Sequence, residues 1–505
     1  MNHRTSLLSL LTIPSLLLFT PHITIASTIP KTEVVEGKVD QALQLAESLE
    51  IPYYDSSKAH LLRDIVINFA KLGEFERALE ITQSIHESFR WNPSGNIAIE
   101  LAAAGKIEQS LGQMKQAIYL SKLPSANSLG LYQDGLLSLI VGKLAEKGHV
   151  EEALALSQNP KYISSQAIML EGIAGGLGAR REFERGLEIA ASIEDNYFKA
   201  SALVRIIFQL IEAKKFAQGM EVVESLSKPA NGFGYQGANL RNIAITFAEA
   251  EQFDFALKVA KILNLPTEDQ DDNELSSEFH NIALQKIAIY QAQAGNIDEA
   301  LEMAKSFSRE DKVYILNEVA IALVKSGETN RALELARSLE EHQQVWVLGD
   351  IATTLVEQGE IDKALQLIKS LTNPSRTTIA KFAIKLAEVG KIDLALEFAQ
   401  SVADSNKDLI LAHVAAAFVE QGDFAKAKEI RQSIDDKQIF ALERTITELA
   451  EQGKLTTAKQ LSQLLPNNLA KAGVLNKLAT YHIEAGEKEQ ATKLLNEALS
   501  IIKNI

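Results

Sequence analysis

A glutamate recurs two residues before a repeating glycine. It stands at Glu357, Glu388, Glu420, Glu451 and Glu484 in five consecutive units, and at Glu146, Glu212 and Glu249 earlier in the chain. Stacked units would bring the consecutive five into a ladder along one rim. Such a ladder can attract a basic peptide, a basic protein surface or cations. The plainer reading is a solvated rim position filled by a good helix former. A carboxylate in the last turn of a helix opposes the dipole, so helix propensity alone does not account for it.

The other chemistry-bearing patterns are weaker. Gly232-Phe233-Gly234-Tyr235-Gln236-Gly237 has the spacing of a dinucleotide-binding turn. That turn needs a preceding strand and a βαβ unit, and helical repeats flank it here. The segment reads better as an inserted loop from Lys228 to Gly237, with Phe233 and Tyr235 as candidate aromatic contacts. The run Glu268 to Glu274 is strongly acidic but lacks the glycine and distal spacing of a calcium loop. No pair among the nine histidines has the i, i+4 spacing of a helical metal site. Gly172, Gly175, Gly176 and Gly178 fall where a helix is expected, and close helix packing explains them better than a phosphate loop. Neither a catalytic residue, a metal ligand nor a cofactor is predicted.

The elements that would position these residues come from the repeat. Gly-x-Ile-x-x-Ala-Leu-x-Leu-Ala recurs along nearly the whole chain, with the glycine at 37, 73, 105, 148, 295, 327, 359, 390, 422, 453 and 486. Arg181, Lys214 and Glu251 replace it in three units that keep the rest of the phrase. Most spacings are about 32 positions, a period characteristic of helical repeat arrays. Each unit reads as two helices around a tight turn, because a glycine there supplies the left-handed conformation that ends a helix. Ala332, Leu335 and Leu339, like Ala364, Leu367 and Leu371, fall on one face of the second helix. In the first helix a small residue recurs seven before the glycine, as at Ala320, Ala352 and Ala383, where a neighbouring helix must come close. A single unit cannot bury both faces, so the units must stack.

Totals agree with a stack. Hydrophobic residues make up 46% and aromatics 6% of the 505 residues, enough for a continuous, closely packed core. The net charge of −15 disfavours nucleic acid and anionic membranes as partners. The absence of cysteine excludes disulfides, thiol catalysis and cysteine-ligated zinc. Residues 1–26 read as a secretory signal: His3 and Arg4, an apolar run from Leu7 to Phe19, and Thr24-Ile25-Ala26 before the cleavage point. Its loss would remove one positive charge, Arg4, and leave −16. The expected destination is a periplasm, another extracytoplasmic lumen or the medium.

The glycine, the aliphatic or aromatic residue two on and the alanine five on resemble the tetratricopeptide repeat. Gly73 to Ala78, Gly295 to Ala300 and Gly422 to Ala427 carry its turn and second-helix start. The resemblance covers residues 37–505, with units slightly shorter than the family's and without most of the closing prolines. It implies an all-α, right-handed solenoid or superhelix of about 13 helix-turn-helix repeats after an N-terminal half-repeat. Insertions are expected near 119–130, 228–237 and 265–277. It also implies first helices lining a concave groove that binds proteins or peptides.

The function expected from these readings is an exported, non-enzymatic scaffold for a protein or peptide, with a basic partner as one possibility. The last helix ends in Ile501, Ile502 and Ile505 with no polar cap after it. That leaves a structural alternative, self-association through the C-terminal edge. A third reading is a hydrolase site in the groove.

Overall fold

The computed structural model describes residues 56–121, 132–160, 165–226, 233–264, 270–402, 405–435 and 439–504. The chain divides into two units, Met1–Ser57 and Lys58–Ile505. The first lies almost wholly outside the described residues, as do the segment expected to be a signal and the expected half-repeat Gly37 to Leu49. The second unit carries the repeats.

That unit is an all-α solenoid. Its helices are numbered α1 (Ser56–Leu72) to α26 (Lys488–Lys503) in chain order, odd numbers being first helices and even numbers second helices. The turn between the two is the same in every pair. In the pair α17 (Glu341–Glu357) and α18 (Ile361–Ser370), Gly359 N–H donates to Val356 O at 3.0 Å and Glu360 N–H to Leu355 O at 2.9 Å. These two bonds satisfy carbonyls that the helix end would orphan, and they require a left-handed residue between them. Gly359 has φ +80°, and the three replacements conform: Arg181 at +69°, Lys214 at +60° and Glu251 at +59°.

Packing follows the small-residue positions. Ala320, Ala352, Ala383, Ala415 and Ala479 in the first helices are fully buried, as are Ala332 and Ala364 in the second. The leucines eight and twelve beyond the glycine, Leu335, Leu339, Leu367 and Leu371, are only half-buried at the border of the core. Consecutive first helices from α3 (Trp91–Ala103) onward pack on one another, whereas second helices mostly pack on first helices and rarely on each other. In a curved stack the elements that crowd together lie on the shorter circumference. The first helices therefore line the inner face and the second helices the outer.

The closest approach is between α5 (Tyr132–Glu146) and α7 (Gln166–Ala179). A Cβ on Gly172 would stand 2.3 Å from Ser138 O, and one on Gly176 2.2 Å from Gly142 O. Gly172 and Gly176 thus make a backbone-to-backbone contact, while Gly175 and Gly178 leave room for the Arg205 and Gln209 side chains.

The C-terminal edge is not free. Ile502 is 2% exposed and Leu499 7%, and Ile501 is half-buried. One continuous core joins Ala59 to Leu101 with Ala288 to Ile502. On the inner face, Asn68 Nδ2 of α1 donates to Asn476 Oδ1 at 2.9 Å and Thr480 Oγ1 at 3.1 Å, both on α25 (Asn468–Glu484). On the outer face, Thr492 Oγ1 of α26 donates to Glu74 Oε1 at 2.8 Å, and Arg77 of α2 (Phe75–Ser84) donates to Asn496. The last pair therefore returns to the first, although the two stand at opposite ends of the repeat sequence. First helix meets first helix, as between neighbours, and the two second helices meet through polar side chains. The register also matches: Asn68 and Thr480 occupy the positions that Gln209 and Gly175 O occupy in an ordinary junction, where they bond at 3.0 Å. The expectation of a bare C-terminal edge for self-association is corrected for the described residues: Leu499 and Ile502 are covered within one chain, because the array curves far enough to meet its own beginning, while Ile505 lies outside the described residues.

Two insertions are also shorter as loops than the sequence suggested. Residues 233–237 already belong to α11 (Phe233–Glu249), so the expected loop from Lys228 to Gly237 ends in helix. The glycine pattern 232–237 runs into that helix, and the described residues contain no strand. The insertion at 265–277 becomes, from Gln270, the opening of α13 (Gln270–Gln293), where acidic residues at a helix start favour the dipole. The side chains of Phe233, Tyr235 and residues 265–273 are outside the described ones, as is most of the insertion expected near 119–130.

Candidate functional site

The inner face is built from positions spaced three or four residues apart on each first helix, which share one side of an α-helix. Counted back from the turn residue, they are thirteen, nine, five and two. The predicted glutamates occupy the last of these, at one rim.

Three of the five glutamates of the expected ladder are engaged by lysines of their own chain. Lys385 Nζ lies 2.9 Å from Glu357 Oε1 and 2.7 Å from Glu388 Oε2. Lys454 Nζ lies 2.7 Å from Glu420 Oε1. Lys385 belongs to α19 (Arg376–Glu388), so it ties one unit to the next. Burial works against its charge, yet its bonds to Glu388 and Glu357 leave its pKa above the usual lysine value. Tyr481 stands beside Glu451 and Glu484, and burial first, then those two charges, pushes its phenol up. The lysine partners offset the unfavourable dipole at Glu357, Glu388 and Glu420, where a cation of the same or the next unit meets the carboxylate.

Deeper in, α21 (Ser405–Glu420) carries His413, 5% exposed, between two carboxylates. Its Nδ1 is 3.8 Å from Glu388 Oε1 and its Nε2 3.1 Å from Glu448 Oε2, the latter an electrostatic contact off the straight hydrogen-bond direction. Arg444 Nε bonds Glu448 Oε1 at 2.8 Å. His413, then Arg444, hold the Glu448 carboxyl at about 2, against partial burial. The space left beside this cluster is about 10 Å³, room for one water at most. It joins three first helices and is too tight for a ligand.

A larger opening lies between α13, α15 (Arg309–Lys325) and α17. This groove of about 290 Å³ is lined by Lys286, Tyr290, Gln293, Tyr314, Asn317, Glu318 and Trp346. Tyr314 and Trp346 both stand thirteen before their turn residues and meet edge to face, with centroids 5.3 Å apart. Tyr314 is 53% exposed. Phe440, at the same position further along, is 69% exposed. Burial and then the charge of Glu249 raise the Tyr290 phenol. The inner face thus carries Tyr314, Trp346 and Phe440 toward one end of the first helices and glutamates toward the other. Sequence reasoning missed the aromatic positions. The only signal was the recurrence of an aromatic at one repeat position in successive units, Tyr314 and Trp346.

Among the described residues no group of three or more histidine, aspartate or glutamate side chains could hold a metal ion. No described helix is long and apolar enough to cross a membrane.

These features define an all-α solenoid of helical repeats, the architecture of a scaffold-like protein. No protein-family profile matches the chain, and no curated protein is similar to it. Among solved structures it is similar to Ton1535 from Thermococcus onnurineus NA1 at 17% identity, over 65% of this chain and 97% of that one, with a TM-score of 0.20. It is also similar to a circular tandem repeat protein with novel repeat topology and enhanced subunit contact surfaces, at 14% identity over 93% and 92% of the two chains, with a TM-score of 0.15.

Proposed function

We propose that the protein is an exported, non-enzymatic scaffold that holds a segment of another protein on its inner face. The observation that carries this reading is the groove at Tyr290, Tyr314 and Trp346. Large aromatic groups left half open to water on an inner surface supply contact area at little cost in side-chain entropy. Polar groups between them give direction to a bound chain. Export rests on the signal pattern of residues 1–26.

A photo-crosslinking residue placed at Tyr314, and in a control at the exposed outer position Gln366, tests the binding reading in the native host. Discrete protein adducts from position 314 and none from 366 are expected. Equal labelling from both, or none from 314, overturns it. Recovery of the full-length precursor from the cytosol, with no processed form outside it, overturns export.

A further inference from the structure

We infer that the groove between α13, α15 and α17 is a subsite for an arginine side chain of the bound segment. The inference rests on the peptide-holding reading and gives it a chemistry. The key group is Asn317, 4% exposed and lining the groove. Its Nδ2 donates to Asp350 Oδ2 at 3.1 Å. A carboxylate only accepts, so the amide orientation is set and Oδ1 is the atom turned away from Asp350. That Oδ1 is buried and has no partner. A buried acceptor without a donor is unfavourable, and a ligand N–H relieves it. The missing group is therefore a donor.

The surroundings specify which donor. Glu318 accepts from Gln293 Nε2 at 3.0 Å through Oε2, leaving Oε1 for a second donor. Tyr314 and Trp346 offer ring faces beside these acceptors. A planar cation with several N–H groups satisfies all three features at once: it stacks on the rings, donates to the amide oxygen and neutralises the carboxylate. A lysine ammonium meets the charge but cannot stack, and an uncharged urea meets the shape but not the charge. The net charge of −15 favours the approach of a cationic segment.

The test uses the full chain with Trp91→Phe, so that Trp346 is the sole tryptophan reporter. The probes are capped alanine-rich peptides with one central arginine, citrulline or lysine. The arginine peptide is expected to quench Trp346 and to bind about tenfold tighter than either of the others. Tyr314→Ala, at a 53% exposed position that leaves the core intact, should remove most of that preference. Asn317→Leu should do the same wherever its circular dichroism matches the parent. Equal binding of citrulline overturns the charge argument, and equal binding of lysine overturns the stacking argument. A preference unchanged in Tyr314→Ala places the arginine elsewhere and overturns the site. If crosslinks at 314 persist while arginine shows no preference, only this inference fails; loss of both removes the scaffold reading as well.

Discussion

Glu448 shows how much a single side chain depends on its neighbours across units. Its carboxyl is held at about 2, below its ordinary 4.5, by His413 and Arg444. A depressed acid stabilises the folded state fully above its unfolded value and loses that contribution as pH falls toward its folded value. Glu448→Gln should therefore be less stable than the parent at pH 6 by about 1–3 kcal/mol. The gap should close between pH 4.5 and about 2. Melting curves across that range check the sign, and a gap independent of pH would sink the assignment. The turn residues give a second prediction at this scale. Arg181, Lys214 and Glu251 hold a left-handed backbone that disfavours side chains. Each change to glycine should stabilise by about 1 kcal/mol, and Gly359→Ala should destabilise by about as much. Nothing lies within 4 Å of a Cβ built on Gly359, so the backbone alone sets that cost. Denaturant midpoints measure both. All four positions were legible in the sequence, because the turn is a local geometry that three substitutions inside an otherwise intact phrase could not hide.

The helices differ in how closely they can approach, and α5 with α7 is the extreme. Gly176→Ala would press a methyl group to within 2.2 Å of Gly142 O, and the neighbour there is backbone rather than a flexible side chain. A loss of about 1–3 kcal/mol is expected. Gly112→Ala, in α4 (Ile107–Ser121) with nothing within 4 Å, should be neutral or stabilising and serves as the control. Comparable effects from the two would contradict the close contact. Helix spacing also explains why the glutamate ladder could be placed from sequence but its partners could not. The column at Glu357, Glu388 and Glu420 follows from periodicity along the chain. That Lys385 bridges two of its members depends on how adjacent first helices pack.

The whole array is held at a seam where chain connectivity gives no help. Asn68, 3% exposed, and Asn476, 6% exposed, meet there in a buried polar contact. The chain has no cysteine, so Asn68→Cys with Asn476→Cys creates a single possible disulfide. Oxidation should give an intrachain bond in the monomer, seen as faster migration on a non-reducing gel. Free thiols or disulfide-linked dimers would argue for an open array. Closure also removes the exposed end repeats that solenoids ordinarily need capped.

What the sequence alone determined is everything local: the helix pairs, the left-handed turns, the buried alanines and the phase that makes stacking obligatory. Those follow from residue type and spacing within one repeat unit. Only the tertiary structure decided that the last pair returns to the first, that Ile502 is covered, and that Tyr290, Tyr314 and Trp346 share one groove. Each of these depends on the rotation between successive units. That rotation is set by packing rather than by any motif, and shows its consequence only after it has accumulated along the array.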